Sequence, residues 1–170
     1  MQLLSRCSDK MCLYAKQIRH FVISLVSQYD SFLGRIMRFI FAVRPDLLNV
    51  LEKPLKYSDL VQFADINAAK EYVIEKEVET VIRKSHTEQF AWLTEKLKAP
   101  FNKGLQSWPT FVEVTERRNL FVHCDGRVSS QYLQICADHK CAIEPGLSVG
   151  DRLEASHNYF ENAYTNRSIK

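Results

Sequence analysis

The stretch that decides the fold class lies at residues 21–43 and reads FVISLVSQYDSFLGRIMRFIFAV. Its apolar residues recur at intervals of three and four, which is the spacing of one helical face. The pattern reaches back to about Cys12 without a proline, and it ends at Arg44 because the residue before Pro45 avoids the helical region. The stretch predicts a long helix with a wide apolar stripe, formed by Val22, Leu25, Val26, Tyr29, Phe32, Leu33, Ile36, Phe39, Ile40 and Val43.

A second long helix is expected from Ala68 to about Lys98, with Asn67 as its N-cap and Pro100 just beyond its end. Its inner face is expected to carry Val73, Ile74, Val78, Val81, Ile82, His86, Phe90, Leu93 and Leu97. Further helices are expected at residues 58–63, 107–124, 128–139 and 156–164. Ser58, Ser107 and Ser156 are expected to cap the first, second and last of these. Residues 142–155 are expected to form a loop or short extended chain.

These elements predict an all-α fold, an up-and-down bundle of four to five helices. The few breakers, Gly 5 and Pro 5, disfavour a many-stranded sandwich or barrel, which needs frequent turns. One domain is expected over residues 1–170, with a core at about 12–140. Residues 141–170 are expected to be a loop and a short C-terminal helix, as in a truncated form.

Composition favours a cytoplasmic protein with no membrane span. The apolar stretch at residues 21–43 contains Asp30, Arg35 and Arg38, which suit a buried or amphipathic helix better than a transmembrane one. Five cysteines without a secretory signal indicate reduced thiols. The net charge of +3 permits a phosphate-bearing partner without requiring one.

The candidate chemistry lies in the helix at residues 107–124, in Arg118, Asn119 and His123. Asn119 and His123 are four apart and share a face, so the amide can hydrogen-bond the imidazole and orient it. Histidine transfers protons near neutral pH, and arginine is a permanent forked donor to phosphate. RNA brings its own nucleophile, the 2′-hydroxyl, so these residue types suit RNA cleavage.

Spacing alone is weak support for this interpretation. Arginine followed five residues later by histidine is expected about 0.3 times by chance in such a chain, and about 0.01 times when asparagine must follow the arginine. A second pair, Arg152 and His157, lacks the asparagine and is interpreted as coincidence.

The segment from Glu116 to His123, followed by Asp125-Gly126 and Tyr132-Leu133, resembles the signature of the HEPN superfamily. The stretches at residues 29–34 and 75–86 resemble one uncharacterised bacterial branch, so the resemblance covers roughly residues 28–165. Position 125 is Asp, where a toxin–antitoxin branch has a modified tyrosine.

The resemblance implies a helical bundle that forms a homodimer through the motif helix, so that two motifs build one composite site. It implies a metal-independent endoribonuclease with no cofactor that leaves a 2′,3′-cyclic phosphate, used as a toxin or antiviral-defence effector. Arg118, Asn119 and His123 are the catalytic positions that match the motif, and Asp30 and His86 match supporting positions of the branch. The implied partners are RNA, a second copy, and an antitoxin or a nucleotidyltransferase.

Structural alternatives stand beside each functional interpretation. His123 could be a core histidine satisfied by Asn119, with Arg118 in an ion pair with Glu113 or Glu116. Asp30 could pair with an arginine of another helix, and His86 could be a core histidine. A metal site of Cys136, His139 and Cys141 lacks a fourth ligand and is disfavoured. The alternative function is a catalytically inactive RNA-binding, nucleotide-binding or protein-interaction module.

Overall fold

A computed structural model describes residues 2–50, 55–102 and 104–165. Within these ranges the chain is helical, with a single isolated β-bridge and no longer strand, which confirms the all-α class. The elements in chain order are α1 (Gln2–Val43), a 3₁₀ helix (Pro45–Val50), α2 (Tyr57–Leu60), α3 (Ile66–Ile82), α4 (His86–Leu97), α5 (Trp108–His123), α6 (Ser130–Asp138) and α7 (His157–Thr165).

The chain divides into two compact units. The first combines Met1–Gln28 with Asn102–Lys170, and the second is Tyr29–Phe101. The first unit therefore contains the beginning of α1 with α5, α6 and α7, and the second contains the end of α1 with α2, α3 and α4.

The core of the first unit surrounds α5. Its buried members come from α1, α5, α6, α7 and the loop before α7: Ile18, Val22, Val26, Val114, Leu120, Phe121, Val128, Tyr132, Cys136, Leu153, Ala155 and Tyr159. Removal of this apolar surface from water is the main force that holds α5 in place.

The core of the second unit packs the end of α1 against α3 and α4. Its buried members are Leu33, Met37, Phe41, Leu48, Ile74, Val78, Val81 and Leu93. Phe41 meets Trp92 edge-on, with ring centroids 6.0 Å apart. The inner face expected for the second long helix is thus the buried face, although the helix itself is not continuous.

The expectation of one helix at residues 68–98 was wrong. α3 ends at Ile82, and a new helix, α4, begins at His86 with Ser85 as its N-cap. The Ser85 side chain accepts from the Glu88 backbone N–H, and the Glu88 carboxylate accepts from the Ser85 backbone N–H, which is a capping box. The buried Gln89 amide donates to the backbone oxygens of Ile82 and Lys84 and closes the corner. The N-cap of α3 is Asp65, which accepts from Ala68 N–H at 2.8 Å, and not Asn67.

The other helix ends fall close to the sequence expectations. α1 ends at Val43 as expected but begins at Gln2, well before Cys12. Ser156 caps α7 by accepting from Tyr159 N–H at 3.1 Å. Ser107 precedes α5 without a side-chain capping bond, so its expected role as a cap was wrong.

The apolar stripe of α1 is only half buried. Residues such as Val22, Val26 and Leu33 lie in the two cores, whereas another row on the same helix is exposed: Leu13, Tyr14, Phe21, Leu25, Phe32, Ile36, Phe39 and Val43. Among the described helices, including α1, none has the length and apolar character that crossing a membrane requires.

Candidate functional site

The motif helix α5 is enclosed along most of its length and opens to the surface at its C-terminal end. Six consecutive residues, 112–117, are buried, and so are Leu120 and Phe121. Arg118 and Asn119 are half-buried, and Val122 and His123 are exposed. The enclosed turns fix the helix, so the side chains at its open end project from a rigid support.

Arg118 is held by its neighbour on the same helix. Its Nη1 donates to Asn119 Oδ1 at 3.0 Å, and the Asn119 side chain is also hydrogen-bonded to the buried carboxyl group of Glu116. Burial raises the pKa of Glu116, and the hydrogen bond from Asn119 and the charge of Arg118 offset only part of that rise. Asn119 therefore links a buried carboxyl group to a partly exposed guanidinium.

The expected hydrogen bond between Asn119 and His123 is not formed. The Asn119 side-chain oxygen accepts a hydrogen bond from Arg118 instead. His123 makes no hydrogen bond or ion pair with any residue that the structure describes. As the last residue of α5, His123 is exposed and not in the core. Both ring nitrogens of His123 are thus open to a substrate or to a second protein chain.

The turn after α5 is fixed by Asp125 and Gly126. Gly126 has a φ of 77°, and its N–H donates to the carbonyl oxygen of Leu120 at 2.9 Å. Asp125 accepts from Arg19 at 2.8 Å and from Arg152 at 3.1 Å. The hydrogen bond from Arg19 and the charge of Arg152 lower the pKa of Asp125, so this carboxylate ties α1 and the loop before α7 to the motif helix.

The second arginine–histidine pair has separate contacts. Arg152 binds Asp125 and lies opposite Arg127 in the isolated antiparallel bridge. His157 contacts the Tyr14 hydroxyl at 3.0 Å and Glu161 at 3.1 Å. Arg152 and His157 therefore contact different partners, and no hydrogen bond or ion pair of the described residues joins the two.

A buried polar network centred on Glu113 lies in the first unit, and sequence reasoning missed it. The Glu113 carboxylate accepts from Arg117 Nε at 2.6 Å, from Tyr132 Oη at 2.7 Å and from Tyr159 Oη at 2.8 Å. Arg117 is 1% exposed, and its guanidinium carbon lies 4.0 Å from the centroid of the Tyr159 ring. Burial and the charge of Glu113 raise the pKa values of both tyrosines.

The sequence allowed an ion pair between Arg118 and Glu113. Arg117, not Arg118, is the partner, and the two are four residues apart on α5. The i, i+4 spacing was visible in the sequence, but the two tyrosines that complete the network come from α6 and α7 and gave no local signal. Arg118, the next residue after Arg117, is half-buried.

Asp30 and His86, both in the second unit, are brought together. His86 Nε2 and Asp30 Oδ1 are 2.9 Å apart, and His86 is buried as its position on the inner face predicted. The Tyr29 ring packs against His86, and burial together with the charge of Asp30 raises the pKa of Tyr29 to about 12. Sequence reasoning named both residues but not their pairing, because an arginine was expected beside Asp30.

An open groove of about 670 Å³ lies beside Asp30 in the second unit. Arg35 and Arg38 line one side, and Glu75 and Glu79 line the other. Arg38 binds Glu75 through two parallel hydrogen bonds of 2.5 and 2.7 Å. The groove therefore carries charges of both signs.

The cysteine–histidine pattern Cys136, His139 and Cys141 lies at the end of α6, where His139 has a contact within the protein. His139 Nδ1 accepts from Trp108 Nε1 at 3.2 Å, so this ring nitrogen serves packing between α5 and the end of α6. Within the described part of the chain, no group of three or more His, Cys, Asp or Glu side chains is arranged to hold a metal ion.

Comparison with known proteins gives no relative for this arrangement. No protein-family model, no curated protein and no solved structure matches the chain significantly.

Proposed function

We propose that the protein is a metal-independent endoribonuclease of the HEPN type, acting as a toxin or antiviral-defence effector. The observation that supports it most is the contrast along α5, where an otherwise enclosed helix presents Arg118 and His123 at its open end. Asn119 and Glu116 hold the guanidinium in place. A phosphate binder and a proton carrier are thus both carried by the last turns of one fixed helix, and the reaction proposed for them needs no protein nucleophile.

The reaction follows from these side chains. A neutral His123 accepts the proton of an RNA 2′-hydroxyl, and the 2′-oxygen attacks the adjacent phosphorus. The bond from phosphorus to the 5′-oxygen breaks, and a protonated histidine gives that oxygen its proton. Arg118 stabilises the negative charge that builds on the phosphoryl oxygens. The products are a 2′,3′-cyclic phosphate and a free 5′-hydroxyl.

Two copies of the chain supply the two histidines that this reaction needs. Five residues along a helix correspond to a rotation of roughly 140°, so Arg118 and His123 of one copy point to different sides of α5. A homodimer through the motif helix places the Arg118 of one copy near the His123 of the other. An antitoxin or a nucleotidyltransferase that covers this end of α5 would control access of RNA to the site.

The test compares the wild type with His123→Ala and Arg118→Ala on a structured RNA in the presence of EDTA. Product ends are determined by mass spectrometry. We expect cyclic phosphates from the wild type and at least a 100-fold loss in either variant, in line with the roughly 10²–10⁴-fold contribution of a positioned acid or base. His20→Ala, which removes another exposed histidine, is the matched control and should cut normally.

Equal cleavage by the wild type and His123→Ala would overturn the assignment of His123. Loss of cleavage on addition of EDTA would overturn the metal-independent reaction. Circular dichroism of each variant separates a lost activity from a lost fold.

A second candidate function is a catalytically inactive module that binds RNA, a nucleotide or another protein. The exposed apolar residues on α1 favour it, since Phe21, Phe32 and Phe39 are each more than half exposed. RNA binding that persists in His123→Ala, weakens with salt and yields no product would support this candidate over the nuclease.

A further inference from the structure

The C-terminal end of α6 brings two cysteines together. Lys140 adopts a left-handed backbone with a φ of 56°, and its N–H donates to the Ala137 oxygen at 3.1 Å. The N–H of Cys141 donates to the Cys136 oxygen at 2.8 Å. This pair of bonds is a Schellman motif, which places the side chains of its first and sixth residues in contact. Here those two residues are Cys136 and Cys141.

The two thiols differ in access and in acidity. Cys136 is buried, with 1% of its surface exposed, whereas Cys141 is half-buried. The interaction with the neighbouring thiol lowers the pKa of Cys141, and the same interaction, together with burial, raises that of Cys136. A partly accessible thiol of lowered pKa with a second thiol beside it is the arrangement of an attacking and a resolving cysteine.

We propose that Cys136 and Cys141 form a redox modification site, which a hydroperoxide converts reversibly to an intramolecular disulfide. The site is separate from Arg118 and His123, and it stands whether or not the protein cleaves RNA. Its basis is the Schellman motif, which brings the side chains of Cys136 and Cys141 together in the reduced protein.

The reaction is a balanced two-electron oxidation. The Cys141 thiolate attacks one peroxide oxygen, the O–O bond breaks, and the other oxygen leaves as water or an alcohol after taking up a proton. Cys141 is now a sulfenic acid. The Cys136 sulfur then attacks the Cys141 sulfur, the S–S bond forms and the S–O bond breaks. The departing hydroxide takes the Cys136 thiol proton and leaves as water, and an external thiol reverses the disulfide by exchange.

Cys124 provides the internal comparison. It is exposed, just after α5, and it has no thiol partner among the described cysteines. Exposure alone would make Cys124 the first residue to be oxidised. The proposal instead expects that Cys141 reacts productively, because among the three described cysteines Cys141 has a resolving thiol beside it and Cys124 has none.

The sequence allows a direct test on the full chain. Lys140 lies between the two cysteines, so trypsin separates peptides 128–140 and 141–152, and a disulfide leaves them linked. We expect hydrogen peroxide, followed by alkylation and digestion, to give this linked pair with a loss of two hydrogens. Dithiothreitol should release it, and Cys124→Ser should leave its yield unchanged.

Two variants complete the test. Cys141→Ser should abolish the linked pair, and Cys136→Ser should leave a sulfenic acid on Cys141 that dimedone traps. The proposal is overturned if the wild type keeps both thiols open to alkylation after peroxide, or if Cys141 links to a cysteine other than Cys136. The wild-type result decides the matter even if Cys136→Ser fails to fold.

Discussion

Two adjacent arginines on α5 have opposite environments. Arg117 is 1% exposed and ion-paired with Glu113, whereas Arg118 is half-buried and donates to Asn119. A buried ion pair that loses one partner leaves an uncompensated charge in a low-dielectric interior. We therefore expect substitution of Arg117 to affect mainly the stability of the fold, and substitution of Arg118 to affect mainly the proposed activity.

Arg117→Ala should lower the free energy of unfolding by about 3–5 kcal/mol, because it leaves the Glu113 carboxylate buried without its cation. Arg118→Ala should lower the free energy of unfolding by less, because Arg118 is half-buried whereas Arg117 is 1% exposed. Urea unfolding followed by circular dichroism measures both values. A larger loss in Arg118→Ala than in Arg117→Ala would show that the roles of the two residues are reversed.

At the scale of single residues, local spacing predicted Arg118, Asn119 and His123 as candidates but did not predict which side chains contact them. Glu116 became part of the site because α5 is enclosed at that turn, and enclosure depends on the neighbouring helices. The Glu113 network joins residues that are 19 and 46 positions apart. Such contacts leave no periodic signal in one sequence.

At the scale of elements, the turn after α5 depends on one glycine. Gly126 has a φ of 77°, and a Cβ at this position would lie 3.0 Å from the backbone oxygen of Leu153. Gly146 has nearly the same φ, 80°, but open space around it. Substituting each glycine in turn therefore distinguishes the free-energy cost of a strained φ, which both variants have, from the cost of a close contact, which only the Gly126 variant has.

Gly126→Ala should lower the free energy of unfolding by more than Gly146→Ala, because only the first adds a collision with backbone to the roughly 1–3 kcal/mol of a strained φ. Thermal unfolding of both variants measures the difference. Since the Gly126 N–H also bonds to the Leu120 oxygen in the last turn of α5, Gly126→Ala should reduce the proposed RNA cleavage by displacing His123. Equal destabilisation by the two substitutions would contradict the close contact with Leu153.

Sequence patterns located most helix ends but missed one break. The long apolar periodicity of residues 73–97 continues across Ser85 without a glycine or proline, so it predicted one helix. The capping-box pattern Ser85-His-Thr-Glu88 was the available signal for a new helix start. Apolar periodicity indicates which helix face is buried. Because α3 and α4 bury the same residues that one continuous helix would, periodicity could not show the break between them.

At the scale of the whole molecule, the proposed composite site requires two copies in contact at the end of α5. Val122 lies between Arg118 and His123 and is 47% exposed, so the proposed dimer would cover it. Val149 is 62% exposed in the loop before α7 and offers a matched position away from the motif helix.

We expect light scattering to give twice the chain mass of 19.8 kDa for the wild type. Val122→Glu should shift the protein to the single-chain mass and abolish cleavage, because two carboxylates would face each other across the interface. Val149→Glu should change neither property. A wild type that stays at 19.8 kDa across working concentrations would remove the composite-site proposal.

The Glu113 carboxylate has a consequence for how the first unit melts. It receives hydrogen bonds from α5, α6 and α7 at once. α7 has nine residues, and an isolated helix shorter than roughly 12–15 residues is marginal in water. Tyr159 fixes α7 to that carboxylate, and the Tyr159 side chain is also buried in the core of the first unit. Because the three helices share this one buried anchor, we expect them to unfold together as a single cooperative block.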